Sequence, residues 1–325
     1  GPDSVWLTLS NDLSQAQAVS LEVQILEPLH DKAEIRPDLQ MIGLPEGKVP
    51  FERLAQGHTT INLTLPATGT EQALVSFPQA SLNALEGYRL QVTLTADSCR
   101  PEEKDLPINF FVARRQNQAF AIDGNLEDWQ SVPAIHVGKK ALFRAKKSWS
   151  GADDLAADLR LAWSSEGLYL AVDVTDDSYC QLDTDTMIWR GDSIQLAVNV
   201  GDDPTTMVPR NTEMTFALTT NGQEAYRHIS FDPPTVPMGP MDLPSTNLSI
   251  TKREQGLIYE MLIPWSSLGL QNAPEADQTI SLAMTINDRD SKNQRDPSAL
   301  GIFGGIAPAK DPSLFGTLLL AATAD

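Results

Sequence analysis

The chain is short of the residues that most often announce chemistry. Two cysteines, Cys99 and Cys180, and four histidines are spread over 325 residues, and 24 basic residues face 43 acidic ones for a net charge of −19. The cysteines fall in what the pattern below divides into different domains, so no disulfide within one domain is expected and the count says little about compartment. The shortage of cations argues against nucleic acid and anionic membrane as partners and disfavours sulfated or uronic polymers. Neutral glycans, cations and basic proteins remain. No apolar run reaches the ~20 residues that span a bilayer, and no glycine-rich phosphate loop follows a strand. Gly1-Pro2 reads as the scar of a removed tag, so the lack of a visible leader carries no information. His136 and His228, in the second half, have no cysteine or serine motif around them, which leaves no zinc set and no activated nucleophile. No acid is set in an apolar pocket as a general acid requires. Glu260, on the strand 257–263, comes nearest, and it is expected to face solvent. The expectation is a protein that is not an enzyme.

What is present is β-pattern. Apolar residues alternate at 5–9, 19–25, 60–65, 73–77, 88–94 and 108–112, separated by Gly-, Pro- and Asn-bearing turns. Six or seven strands in about 110 residues predict an immunoglobulin-like sandwich, here a spacer over residues 3–114. The polar run Arg114-Arg115-Gln116-Asn117-Gln118 marks the boundary, and a second domain follows over 118–325. The fold class is therefore all-β, two β-sandwich domains, of which the C-terminal one is the larger.

In the second half, 158–163 and 168–174 form a hairpin around Ser164-Ser165-Glu166-Gly167. The segment Trp189-Arg190-Gly191-Asp192 leads into a strand with Ile194, Leu196 and Val198 on one face and Ser193, Gln195, Ala197 and Asn199 on the other. Trp189, just ahead of that alternation, belongs at a rim, where an indole can stack on a flat ligand such as a sugar ring. Its alternative is a ring packed over the edge of the core. Ala171, Ala197, Ala217 and Ala283 lie opposite their strands' large apolar residues, beside polar neighbours. Small and polar side chains on several strands predict a shallow trough, unless the Pro- and Met-rich loop 231–243 covers it.

Six ordered segments then carry a resemblance: Ile122-Asp123-Gly124 with Trp129; the strand pair ending Val174-Thr175-Asp176-Asp177; Trp189 to Gln195; Ile263-Pro264-Trp265; Asn287-Asp288 with Gln294-Arg295; and Asp311-Pro312-Ser313-Leu314-Phe315-Gly316. From about Phe120 to Leu320 the chain resembles a family 9 carbohydrate-binding module. The resemblance implies a cleft that holds sugar between two tryptophans, polar groups on its hydroxyls, and a structural calcium ion. Trp189 matches the first stacking ring, Gln195 a polar position that is often Glu, and Asn287, Gln294 and Arg295 the matching loop. The second ring is absent, because its position holds Ala309, and Ala217 stands where a long polar side chain is expected; Trp149 or Phe303 is the candidate replacement ring. For calcium the resemblance directs attention to Asp123, Asp128, Asp176 and Asp177.

The functional expectation is a non-catalytic carbohydrate-binding region of a larger secreted or cell-surface bacterial protein. Its partners would be a neutral glycan or oligosaccharide and the other domains of the parent polypeptide. Two alternatives stand beside it: a structural or protein-docking module that has lost sugar binding, and a haem-binding redox domain using Met187 or Met214.

Overall fold

The computed structural model describes residues 4–28, 51–76, 84–96, 99–144, 149–202, 209–230, 236–294, 298–307 and 310–323. The chain divides into two units, Gly1–Asn109 and Phe110–Asp325. In the first, β1 (Ser4–Asn11), β2 (Gln17–Pro28), β3 (Phe51–Leu65), β4 (Gly69–Ser76), β5 (Arg89–Ala96) and β6 (Glu102–Pro107) are all antiparallel. β1 pairs with β4, and the other four form a sheet in the order β3-β2-β5-β6. The alternation read from the sequence fixes the central strand: Val19, Leu21, Val23 and Ile25 are buried while Ser20, Glu22 and Gln24 between them are not. A slip of one residue would put all four apolar side chains in water.

The second unit contains β7 (Phe110–Arg115), β8 (Ile135–Val137), β9 (Leu142–Arg144), β10 (Leu155–Trp163), β11 (Gly167–Asp176), β12 (Ser193–Asp202) and β13 (Pro209–Thr219). It continues through β14 (Gly222–Ser230), β15 (Gly239–Pro240), β16 (Leu248–Arg253), β17 (Gly256–Pro264), β18 (Gln278–Asp288), β19 (Ser298–Ile302) and β20 (Gly316–Ala321). Eleven of them follow one hydrogen-bonded path, β15-β14-β13-β12-β18-β20-β7-β10-β11-β17-β16, with β8 on β10 and β19, which carries β9, on β18. The sheet curls on itself, and the backbone N–H of Ile250 near one end donates to Gln223 Oε1 near the other at 3.0 Å. Between the two halves lies one core: Ile194, Leu196, Phe216, Leu282, Met284 and Ile286 on one side, and Leu159, Leu161, Leu170, Val172, Tyr259 and Met261 on the other, all buried. The all-β sandwich is the fold the alternation predicts.

Two local readings change. The alternation expects the strand beginning near residue 108 in the first domain, with the polar run from Arg114 to Gln118 as the boundary. Instead β7 runs parallel to β20 and touches the end of β10. Phe111 and Ala113 are buried in the second unit's core, and the Arg115 guanidinium lies 5.3 Å from the centre of the Trp163 ring. Arg115, within that run, thus closes the strand by covering an indole. The excursion 231–243 also carries an edge element, because β15 pairs with β14 through Gly239 and Pro240. An edge is where a strand tolerates proline.

The Ile-Asp-Gly segment is held by Glu260, which is fully buried rather than solvent-facing. Its carboxylate accepts the N–H groups of Asp123 and Gly124 at 2.9 and 2.8 Å and the Trp129 indole N–H at 2.6 Å. Gly124 has φ +85°, and a Cβ there would stand 2.1 Å from Thr251 Oγ1, so both backbone and space demand glycine. The segment lays Trp129, stacked on Phe120 at 4.1 Å, over Tyr169, Ala171 and Leu262. Replacing Glu260 with Ala strands three donors, two of them in the protein interior, and each such loss costs about 1–3 kcal/mol. The E260A variant is expected to lose ~3 kcal/mol or more of second-unit stability in urea unfolding, with an unchanged first-unit transition.

Candidate functional site

Trp189 sits in a short helical turn, Asp185–Arg190, just before β12. Ile188 is fully buried and anchors the turn, leaving Trp189 half-buried with the Arg190 guanidinium 5.9 Å from its ring centre. By contrast Trp129, Trp163 and Trp265 are buried, and each indole N–H is bonded, to Glu260, the Ala321 carbonyl and the Ser164 carbonyl respectively. Gly191 passes so close to its neighbours that a Cβ would lie 2.7 Å from both the Cys180 carbonyl and Gln181 Oε1. The glycine in Trp-Arg-Gly-Asp is therefore needed for close approach.

From this turn a polar row runs along the outer face of the sheet half β13-β12-β18. The register sets Ser193 opposite Asn287, Gln195 between Thr215 and Thr285, and Ala197 between Glu213 and Ala283. Asn287 Nδ2 donates to Ser193 Oγ and to Gln195 Oε1, both at 3.2 Å, and Gln195 Nε2 donates to Glu213 Oε1 at 3.3 Å. Lys310 Nζ closes the row on Glu213 at 2.6 and 2.7 Å. Gln195, Asn287 and Glu213 are buried, whereas the Lys310 side chain is half-exposed and Trp189 partly so. Beside the row, His228 Nε2 is 2.9 Å from Thr215 Oγ1, and its ring is 4.9 Å from that of Tyr226. Burial, helped by the Lys310 charge, lowers the His228 pKa to about 4.

The trough is shorter than the four alanines suggest. Ala171 is on the other half of the sheet, under Trp129. Ala197 and Ala283 are covered by Ile306 and Phe315, with Phe303 packed against them. Phe303 is 4.9 Å from Phe111 and lies on Gly316, so it is a core ring rather than a second stacking platform. Trp149 is partly buried, its indole donating to the Leu155 carbonyl at 3.0 Å. Gln294 stands apart from the polar row, its Oε1 accepting the Asp290 N–H at 2.7 Å. Arg295 and Ala309 lie outside the described residues. Glu213, Lys310 and His228 were not selected from sequence, although Glu213 has the same strand parity as Thr215 and Ala217 and was legible on that ground.

On the other side of Asn287 is a carboxylate cluster. Asp176, Asp192 and Asp288 form one group and Asp154, Asp288 and Asp290 another, each with oxygens within 4.8 Å of one another. Both carboxylate oxygens of Asp288 and Oδ1 of Asp290 are buried and have no hydrogen-bond partner among the described residues. Burial, reinforced by Asp290 and Asp192, raises the Asp288 pKa to about 9, and burial with Asp176 raises that of Asp192 to about 8. Calcium takes six to eight oxygens, from carboxylates and carbonyls, and the Asp288 oxygens fit it as donors otherwise left bare. Of the four acids singled out from sequence, only Asp176 belongs to these groups. Asp123 accepts the Asn125 N–H at 2.9 Å and Asp128 the Ala121 N–H at 2.9 Å, so both close local turns. Asp177 is in neither group, although its charge is felt at Asp176 and Asp290. The methionines raised as haem ligands are separated by their settings: Met187 is exposed and Met214 is in the core.

The second unit is thus a curled β-sandwich with a partly exposed indole at the end of a polar strand face and an acidic cluster behind it. The profile described as "Carbohydrate family 9 binding domain-like" matches residues 122–323, and the chain belongs to that family. Among solved structures it is similar to a family 9 carbohydrate-binding module from Caldicellulosiruptor kristjanssonii in complex with cellotriose, at 16% identity and TM-score 0.48, covering 66% of this chain and 95% of that one. The glucose complex from the same organism aligns at 17% identity and TM-score 0.44, covering 66% and 97%. A putative carbohydrate-binding protein from Bacteroides uniformis aligns at 12% and 0.43, covering 65% and 98%. The search of curated proteins returns no match.

His228 gives a pH test of this geometry. Its folded pKa lies below the ordinary value of 6.5, so the unfolded chain takes up the proton first. The stability associated with neutral His228 is fully present above about pH 6.5 and is lost as pH falls toward 4. The His228 ring signals in NMR are expected to titrate near pH 4, and Lys310→Met to move that midpoint upward. A midpoint at 6.5 would place the ring in open solvent.

Proposed function

We propose that the second unit binds a neutral saccharide. One face of a sugar ring stacks on Trp189, and hydroxyl groups are bonded from the polar row of Gln195 and Asn287 at its Trp189 end. Lys310 and Glu213 end the row on its other side. The observation that carries this reading is the continuous hydrogen-bonded chain Ser193–Asn287–Gln195–Glu213–Lys310 beside a partly exposed indole, in a chain of this family. Stacking on an aromatic face contributes roughly 0.5–1.5 kcal/mol beyond area burial, and the bonded row fixes orientation. The unit acts as a non-catalytic module, and the cluster around Asp288 and Asp176 holds a structural calcium ion. We place the module in a larger secreted or cell-surface bacterial protein, where the first unit, ending at Asn109, serves as an immunoglobulin-like spacer and the partners are the glycan and the parent's other domains.

A second reading, a scaffold that no longer binds sugar, is favoured by Ile306 and Phe315 filling the far half of the trough. Calorimetric titration of the full chain with glucose and cellotriose in excess calcium separates the two. The saccharide reading expects measurable affinity, and Trp189→Ala to weaken it at least tenfold while shifting the melting temperature by no more than a few degrees. Heat-silent titrations with both sugars favour the scaffold, and a collapse of stability in the variant would make Trp189 a packing residue.

Calcium has a separate readout. A ligand that binds only the folded state at a hundredfold excess over its Kd stabilises by about 2.7 kcal/mol, or roughly 5–10 °C for a domain of this size. Asp288→Asn is expected to abolish that rise and, because a neutral amide can be buried without first taking up a proton or a cation, to leave the calcium-free protein at least as stable as the parent. An equal calcium response in the variant would remove Asp288 from the site.

A further inference from the structure

The acidic cluster and the indole are mechanically joined. Asp192 is the last residue before β12, and its carboxylate accepts the backbone N–H of Cys180 and, at 2.8 Å, that of Arg289. Next to Cys180, the buried Gln181 donates from one amide nitrogen to the Ile188 carbonyl at 2.7 Å and to the Asp192 carbonyl at 3.2 Å. Its oxygen accepts the Asp183 N–H at 3.0 Å. Ile188 immediately precedes Trp189. Arg289, next to Asp288, reaches back to Asp183 at 3.2 Å. Residues 180–183 are therefore tied to the acidic cluster at one end and to the turn that carries Trp189 at the other.

We propose that occupancy of the Asp288 cluster by a divalent cation positions Trp189 for stacking, with Gln181 as the positioning residue, so that cation and saccharide affinities are coupled. The inference rests on the saccharide and calcium readings above. The oxygens of each acidic group are spread within 4.8 Å of one another, whereas calcium draws its ligands to about 2.3–2.6 Å of itself, so loading the cluster pulls Asp192 and Asp288 inward. Asp192 cannot move without displacing the Cys180–Gln181 backbone and the amide contact to Ile188. Thermodynamic linkage then makes the effect reciprocal: whatever factor the cation gives the sugar, the sugar gives the cation.

The test is a square of four calorimetric titrations on the full chain: cellotriose with excess calcium and after EGTA treatment, and calcium with and without cellotriose. The expected result is a roughly tenfold tighter saccharide Kd with calcium and the same factor in the calcium Kd with saccharide. Gln181→Met, similar in length but without an amide, is expected to retain calcium affinity within about twofold and to lose the coupling. Should that buried change disturb folding by near-UV circular dichroism, Asp183→Asn loosens the same turn from a partly exposed position and is expected to reduce the factor. Saccharide affinity indifferent to calcium, when both bind, overturns the coupling while leaving the two readings beneath it intact. Absence of calcium heat overturns it together with the cation reading, and absence of saccharide heat together with the saccharide reading.

Discussion

At one end of the sheet, two neighbouring strands each hand adjacent residues to opposite sides. On β18 Asn287 joins the polar row and Asp288 the acidic cluster; at the start of β12 Ser193 and Asp192 do the same. Successive side chains of a strand point to opposite faces, so neither site can be moved without moving the other. The register Ser193↔Asn287 fixes both pairs at once. Burial then raises the stakes, since Asp288 is removed from water with neither oxygen bonded among the described residues. A buried carboxylate must find a proton or a cation, and which it finds determines the charge beneath the binding face.

Much of this was legible in the sequence because it depends on period two. The alternation after Trp189 placed Ser193 and Gln195 on one face and Ile194, Leu196 and Val198 in the core, where the structure has them. The indole falls at a rim because a turn precedes the strand and Ile188, not Trp189, fills the interior. Period two gives parity but not the identity of the sheet half. Ala171 has the right parity and the wrong neighbours, since Trp129 covers it. Lys310 was hidden by a loop whose path no periodicity reports.

The acidic cluster was harder to read for a different reason. Its members, Asp154, Asp176, Asp192, Asp288 and Asp290, come from four separate stretches, and each sits beside a residue with a more conspicuous pattern. Pairs close in sequence, such as Asp123 with Asp128, attract attention but satisfy backbone amides within a few residues. Glu260 shows the converse. As a lone acid on an apolar strand it suggests an exposed position or a catalytic one. It is instead a buried acceptor for three N–H groups that fastens the segment 121–129 to the sheet. In both cases the deciding quantity is the number of donors that converge, which only the fold supplies.

The Glu213–Lys310 pair also bears on how one ring can serve where two might be expected. Glu213 is almost fully buried, and an unpaired carboxylate there would be costly. Lys310 offsets that charge from the half-exposed side, so the row ends in an ammonium group with a proton still available toward solvent. On the saccharide reading a guest meets the apolar face of Trp189 and the amide groups of Asn287 and Gln195, while Ile306 and Phe315 close the trough over Ala197 and Ala283 before Glu213 and Lys310 are reached. Such a site gives up the contact area of a second ring for directional bonds. It should therefore discriminate among hydroxyl arrangements more sharply than it discriminates by ring size, because a misplaced hydroxyl leaves a buried partner unmet whereas a missing apolar contact forfeits only its area.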